Sequence, residues 1–172
     1  MRHLRKAIAA AFLAPLILTA AQATAANGPP EPVQPQTFRF APGEACVFPL
    51  GLVQSGGNVH MKEFVDRNGA PVRIITAGKG FLLTYTNLET GASVTIRTDG
   101  SVSTTTNNPD GTLTVSATGH NGLILFSSDI PAGPTTTQYI GRIVYNIDPA
   151  TGIFTLVSTS GSQRDICAEL AS

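Results

Sequence analysis

Glu63 is the polar residue whose position in this sequence most suggests chemistry. Val59, Met61 and Val65 surround it at two-residue spacing, so an extended strand would turn Glu63 toward the core. A buried carboxylate is costly unless it is paired or its pKa is shifted, and such groups often act as acids or bases. One interpretation makes Glu63 a general acid, a general base or a ligand anchor. In the other, the strand twists or bulges and Glu63 reaches solvent or an arginine.

Three tyrosines could complete such a site. Tyr85, Tyr139 and Tyr145 fall on the inferred core faces of their segments, where their hydroxyls could line a cavity. A barrel isomerase or cyclase using Glu63 with a tyrosine would bring Glu63, Tyr85 and Tyr145 together, and these three are the catalytic candidates. The alternative is that the tyrosines are core aromatics whose hydroxyls reach a rim.

The sequence lacks the residue patterns that other kinds of catalytic or metal site would need. His60 and His120 have no second histidine, cysteine or carboxylate at metal-binding spacing, and we interpret both as surface residues, with His120 in the turn-like Gly119-His120-Asn121-Gly122. The chain has no nucleophile elbow, phosphate-binding loop or dinucleotide fingerprint. We therefore expect no metal and no cofactor. The 11 basic and 11 acidic residues give no excess of positive charge, so we also expect no nucleic-acid partner.

The first 25 residues have the layout of a secretory signal peptide. Arg2, Arg5 and Lys6 precede an apolar run over 7–20, and small residues follow, with cleavage expected after Ala23 or Ala25. The run is shorter than the ~20 residues that span a bilayer, so we expect a secreted, extracellular product without a membrane anchor. Cleavage after Ala25 removes three of the 11 basic residues and none of the 11 acidic ones, which leaves a net charge of −3.

Export gives the two cysteines a structural interpretation. Cys46 and Cys167 are the only cysteines, they lie near the two ends of the exported chain, and an oxidising compartment favours their pairing. A reactive thiol would need a second cysteine at C-x-x-C spacing or a neighbouring histidine. We therefore predict a disulfide between Cys46 and Cys167. We therefore divide the chain into three predicted segments: signal peptide 1–25, Pro-rich flexible leader 26–37, and a single all-β domain 38–172.

Within that domain, short runs of β-branched and aromatic residues alternate with turn signals such as Asp99-Gly100 and Asn108-Pro109-Asp110-Gly111. The runs predict strands over 46–53, 58–66, 72–76, 81–87, 92–98, 101–106, 112–118, 123–127, 138–147 and 153–159. A helical turn is expected only near 165–170. Because the connections are short and contain no crossover helix, the pairing should be antiparallel.

The predicted fold class is an all-β antiparallel meander of about eight to ten strands. An open sheet of this size would leave two long unpaired edges, which favours a closed or nearly closed barrel, with a β-sandwich as the alternative. The segment 123–126 is apolar on both faces and should be central or covered. The polar segment 101–106 should lie at an edge or a rim.

Several motifs resemble those of small secreted all-β proteins of high-GC Gram-positive bacteria. They are Cys46-x-Phe48-Pro49, the stretch 86–95 (TNLETGASVT) and Gly119-His120-Asn121-Gly122. The resemblance implies an extracellular β-barrel or sandwich, and the group is functionally uncharacterised. In overall plan the chain is also similar to calycin carriers and to dirigent and allene-oxide-cyclase barrels, a likeness of fold that transfers no site residue.

Three function classes remain. The first is a non-enzymatic binding or interaction module that takes a small apolar ligand or an extracellular protein partner, and we favour it because no catalytic constellation is found. The second is the isomerase or cyclase built on Glu63 and a tyrosine. The third is a secreted enzyme inhibitor, for which 130–134 (IPAGP) is the best candidate loop.

Overall fold

The computed structural model describes residues 29–171, which form 11 strands and one short helix. The strands pair antiparallel in two sheets. In spatial order, the larger sheet contains β1 (Glu31–Pro32), β4 (Asn58–Val65), β5 (Pro71–Lys79), β8 (Val102–Asn107), β9 (Leu113–Leu125), β10 (Thr135–Asp148) and β11 (Ile153–Asp165). The smaller contains β2 (Thr37–Phe40), β3 (Leu50–Ser55), β6 (Leu82–Asn87) and β7 (Ser93–Arg97). Helix α1 (Ile166–Leu170) follows β11.

The all-β prediction is confirmed, but the barrel is not supported. Neither sheet closes on itself between residues 29 and 171, and the alternative, a sandwich-like arrangement, fits the two sheets. The simple meander fails because the chain changes sheet four times within residues 29–171: between β1 and β2, β3 and β4, β5 and β6, and β7 and β8. The last two crossings touch: a Cβ added at Gly80 would overlap the Thr98 carbonyl, and the Thr98 hydroxyl donates to the Phe81 carbonyl at 2.8 Å. Only glycine allows so close an approach of two backbones.

A first core lies between the two sheets and carries the disulfide. Cys46 and Cys167 are bonded, with their Cα atoms 5.5 Å apart, as predicted. The predicted C-terminal helical turn is also confirmed as α1, whose first turn is capped by the Asp165 carboxylate accepting from the Ala168 amide at 3.0 Å. The buried residues of this first core are Phe40, Ala45, Cys46, Phe48, Leu50, Leu52, Phe81, Leu83, Tyr85, Ile96, Ile124, Ile166 and Leu170.

A second core belongs to the ribbon of β9, β10 and β11. Its buried residues are Val115, Ala117, Leu123, Leu125, Tyr139, Ile143, Ile147 and Phe154, with Leu113, Tyr145 and Leu156 packed against them. The segments predicted over 112–118 and 123–127 are one continuous strand, β9. Its apolar stretch divides between the cores, because Leu123 and Leu125 face the second core while Ile124 faces the first. The prediction that this stretch is covered on both faces is confirmed.

The ribbon folds back on itself. Ile130, about five residues beyond the end of β9, bridges to Thr155 of β11, which lies level with Thr114 near the start of β9. Five residues span at most ~18 Å, whereas the stretch from Thr114 to Leu125 would measure ~36 Å in a straight ribbon. The ribbon must therefore bend, and the second core lies inside the bend.

A row of three glycines crosses the ribbon where it bends. Gly119, Gly141 and Gly161 are register partners on adjacent strands, and each has a positive φ. A Cβ added at Gly141 would overlap the Ser160 carbonyl, and one at Gly161 would overlap the Ile140 carbonyl. Glycine is required here both for the backbone angle and for the closeness of the strands.

One strand placement was wrong. The polar segment predicted at an edge or rim forms β8, which lies inside the larger sheet between β5 and β9. Thr105 is buried there, opposite Ile74 on one side and Val115 on the other. Threonine suits this position because its β-branched side chain packs on a pleated surface as valine does.

The predicted leader overlaps the described residues at 29–37, and the signal peptide lies outside them. β1 pairs with His60 and Met61 of β4, and the Val33 amide donates to the Val59 carbonyl at 2.8 Å. Val33 packs against the first core, although the sequence offered no reason to expect it there. The segment thus runs along one end of the space between the sheets.

Candidate functional site

The three catalytic candidates do not meet. Glu63 is exposed on β4, Tyr85 is fully buried in the first core, and Tyr145 packs against the second core. An isomerase site was expected to bring them into one cavity, and this arrangement does not do so. Tyr139, the third tyrosine considered, belongs to the second core.

Glu63 is exposed because the β4–β5 hairpin extends beyond the core. The alternation that placed Val59 inward holds at the start of β4, where Val59 packs against the first core. Further along, both faces of the hairpin become accessible, the register shifts at Phe64, and the Lys62 ammonium lies 5.4 Å from the Phe64 ring centre. The second interpretation of Glu63, a side chain reaching solvent, is the one observed.

Tyr145 has an apolar environment. Its ring stacks on Phe154 with the centroids 5.5 Å apart, and burial raises the pKa of its hydroxyl from 10.0 to about 12. Nothing in this contact requires a ligand, and Tyr145 is explained as a core aromatic.

Tyr85 has a different environment. Its hydroxyl lies directly over the Cα of Gly122 on β9, so that a Cβ at position 122 would overlap it. Burial raises the pKa of this hydroxyl well above its usual value. Within residues 29–171, the Tyr85 hydroxyl oxygen and Gln138 Oε1 are the buried side-chain atoms that find no hydrogen-bond partner.

Gln138 places its free oxygen beside the same glycine. The residue is fully buried on β10, register partner of Gly122, and its Oε1 lies 3.5 Å from the position of a Cβ at Gly122. The other end of the amide is occupied, because Nε2 donates to the Tyr139 carbonyl at 3.5 Å. Two buried polar groups therefore adjoin one glycine without being paired.

Gly122 also lines a cleft of about 170 Å³ between the two sheets. Phe38, Phe81 and Leu83 line it on the side of the smaller sheet, and Leu83 lies 3.5 Å from the same Cβ position at Gly122. The remaining lining residues come from the leader and from both sheets: Val33, Gln34, Gln36, Gln54, Val59, Thr76, Gly80, Thr98, Ser101, Ser103, His120 and Asn121.

The electrostatic character of the cleft follows from this composition. None of these lining residues is an aspartate, glutamate, lysine or arginine, and His120 is the one imidazole. His120 is held in place: its amide donates to the Ser101 hydroxyl at 3.1 Å, and that hydroxyl donates to the His120 carbonyl at 2.5 Å. The cleft wall therefore has no carboxylate, ammonium or guanidinium group, and its one imidazole belongs to a residue whose backbone is anchored by Ser101.

Sequence reasoning missed this site. Gly119-His120-Asn121-Gly122 was interpreted as a turn with His120 on the surface, whereas it lies within β9 and His120 is half-buried. The usable signal was Gly122 beside a strongly apolar run, because a glycine within a strand often marks a close approach of other groups. Gln138 gave no signal, because it lies beside Gly122 only through the pairing of β10 with β9. Gly122 comes 16 residues earlier in the chain.

The candidate inhibitor loop, 130–134, is exposed and firmly attached. Asp129 is buried, and its carboxylate accepts from the Phe126 amide at 2.6 Å and from the Phe154 amide at 2.9 Å. Ile130 exchanges two backbone hydrogen bonds with β11, at 2.8 and 2.7 Å, while the residue as a whole is 57% exposed. Both proline peptide bonds of the loop, Ile130–Pro131 and Gly133–Pro134, are cis.

The chain matches no family model, and comparisons with curated proteins and with solved structures find no similar protein. The resemblance to secreted bacterial proteins therefore stays a prediction. Within the described part of the chain, no helix is long and apolar enough to cross a membrane. Residues 29–171 also contain no group of three or more histidine, cysteine, aspartate or glutamate side chains arranged to hold a metal ion.

Proposed function

We propose that the protein is an exported binding module that takes a small, largely apolar ligand into the cleft between its sheets. The observation that carries the proposal is the pair of unpartnered buried atoms, the Tyr85 hydroxyl and Gln138 Oε1, beside the lining residue Gly122. A buried polar group without a partner costs about 1–3 kcal/mol. Tyr85 and Gln138 are not themselves lining residues of the cleft, and both atoms adjoin its lining residue Gly122. Their lack of partners is explained if a ligand that enters at Gly122 completes their hydrogen bonds.

Two further features support this function. The disulfide is compatible with an oxidising, extracellular compartment. The cleft is lined by five phenylalanine, leucine and valine side chains and by nine side chains that carry an amide, a hydroxyl or an imidazole, so it offers both apolar surface and hydrogen-bonding groups to a small molecule.

A ligand screen with a blocked variant tests the proposal. Ser103 lines the cleft, and Ser103→Trp should fill it; Ser162→Trp, on the exposed part of β11, is the matched control. We expect ligand-observed NMR with a mixture of single-ring fragments to detect binding to the native chain and to Ser162→Trp, and none to Ser103→Trp. Equal binding to both variants, or no binding by any fragment, would overturn the proposal.

A second candidate function is inhibition of an extracellular enzyme through loop 130–134. It is favoured by the combination of an exposed Ile130 side chain and a backbone fixed by hydrogen bonds to β11, because a preorganised loop loses little entropy on binding. Assays against a panel of secreted proteases should then show inhibition that Ile130→Asp removes. Val47→Asp, at another exposed apolar position, should not change it. Absence of inhibition across the panel would contradict this function.

A further inference from the structure

The geometry points to a neutral, single-ring ligand bearing a hydroxyl group, of the phenol class, as the occupant of the inter-sheet cleft; this rests on the proposed binding function. The first argument is charge. The lining contains no carboxylate, ammonium or guanidinium group, and its one basic side chain is the His120 imidazole. A charged ligand would lose its hydration without gaining an opposite charge, which is strongly unfavourable in a partly buried site.

The second argument is size. The cleft has a volume of about 170 Å³. An engineered apolar cavity of about 150 Å³ in another protein holds benzene, so this volume suits one six-membered ring with a small substituent and excludes a long acyl chain. Phe38 and Phe81 are two of the lining residues, and an aromatic ring gains from offset-stacked or edge-to-face contact with such side chains.

The third argument is the pair of free polar atoms. Gln138 Oε1 can only accept, and it is the free end of the amide because Nε2 donates to the Tyr139 carbonyl. The Tyr85 hydroxyl can donate its proton. Both atoms are buried next to Gly122 and do not line the cleft themselves, so a ligand hydroxyl must reach in at Gly122 to meet them. There it would donate to Gln138 and accept from Tyr85, whereas a carbonyl could only accept. A hydroxyl is therefore the small neutral group that matches both atoms.

The test compares three probes: phenol, toluene and benzoate. Calorimetric or NMR titration of the native protein should give phenol an affinity about 30-fold above that of toluene, the value of two net hydrogen bonds, with no measurable binding of benzoate. Tyr85→Phe and Gln138→Met each remove one of these bonds and should each reduce phenol binding about fivefold. Tyr145→Phe removes an equivalent hydroxyl from the other core and should leave phenol binding unchanged.

The outcomes separate the two proposals. Equal affinity for phenol and toluene, preferred binding of benzoate, or normal phenol binding by both Tyr85→Phe and Gln138→Met would overturn the hydroxyl-bearing class. If the single-ring probes fail while another fragment binds the native chain and not Ser103→Trp, the ligand class is wrong and the binding function stands. If no fragment binds at all, both proposals fail.

Discussion

The first core joins two sheets, whereas the second is enclosed by a single bent ribbon. The first is closed by the Cys46–Cys167 bond and contains a fully buried tyrosine with an unpartnered hydroxyl beside a cleft. The second is apolar around Tyr145, whose ring stacks on Phe154. Tyr85 and Tyr145 thus have different roles. Where packing is complete, tyrosine is explained by stability; where a buried hydroxyl is left unpaired beside a lining residue of a cleft, stability alone does not explain it.

The largest effect should come from the disulfide, which constrains the first core. Replacing both Cys46 and Cys167 by alanine should lower the free energy of unfolding by about 4–5 kcal/mol, because the bond closes a loop of 121 residues in the unfolded chain. Urea denaturation measures the loss. Amide hydrogen exchange should accelerate most in α1, which carries Cys167. A loss below about 1 kcal/mol would contradict the account.

A substitution at the bend of the ribbon, which encloses the second core, should have the next largest effect on stability. Gly141→Ala should destabilise the fold by about 3 kcal/mol, since the new Cβ meets the Ser160 carbonyl and φ is +138°. Gly111→Ala is the control: its φ of +85° is also unfavourable for alanine, but no atom lies within 4 Å, so about 1–2 kcal/mol is expected. Equal losses in thermal unfolding would show that the bend does not depend on the glycine row.

Alkaline pH should act on Tyr85 and Tyr145. Burial raises the pKa of each hydroxyl, that of Tyr145 from 10.0 to about 12, so the folded state holds these protons more tightly than the unfolded chain does. The stabilisation that these protonated hydroxyls contribute is fully present below pH 10. It is lost as pH rises through the pKa of the folded state, at up to about 1.4 kcal/mol per pH unit and group. Tyr145→Phe should make the fall in the free energy of unfolding between pH 10 and 12 less steep. An unchanged dependence on pH would contradict this.

The smallest effect separates the two tyrosines directly. Tyr85→Phe removes an unpartnered buried hydroxyl and should raise the stability of the ligand-free protein by about 1 kcal/mol. Tyr145→Phe should bring no such gain, because Tyr145 is not among the unpartnered groups. Both variants are compared by chemical denaturation without ligand. A greater loss for Tyr85→Phe than for Tyr145→Phe would mean that the Tyr85 hydroxyl is structurally satisfied.

Local sequence patterns predicted most of the strands because turn residues and two-residue alternation are local signals. β6, β7 and the disulfide lie close to their predicted positions. The barrel prediction is not supported, because the strands are divided between two sheets, neither of which closes within residues 29–171. At one exchange between the sheets Gly80 meets Thr98, a residue distant in sequence. No local pattern reports such a contact.

The candidate site was predicted only in part. Tyr85 was named, but its supposed partner Glu63 lies on a hairpin that leaves the core, and the alternation of a strand does not reveal where its supporting sheet ends. Gly122 and Gln138 act together because β9 and β10 pair in a particular register. That register is set by the whole ribbon, including its glycine bend, and could not be inferred from the residues themselves.

Backbone amide chemical shifts recorded during a phenol titration test the central claim most directly, because they report on both cores at once. The account predicts shifts concentrated at Phe81, Asn121 and Gly122 of the cleft, with Val115 and Ile143 of the second core unchanged. Shifts centred on the second core, or no shifts at any phenol concentration that leaves the protein folded, would contradict it.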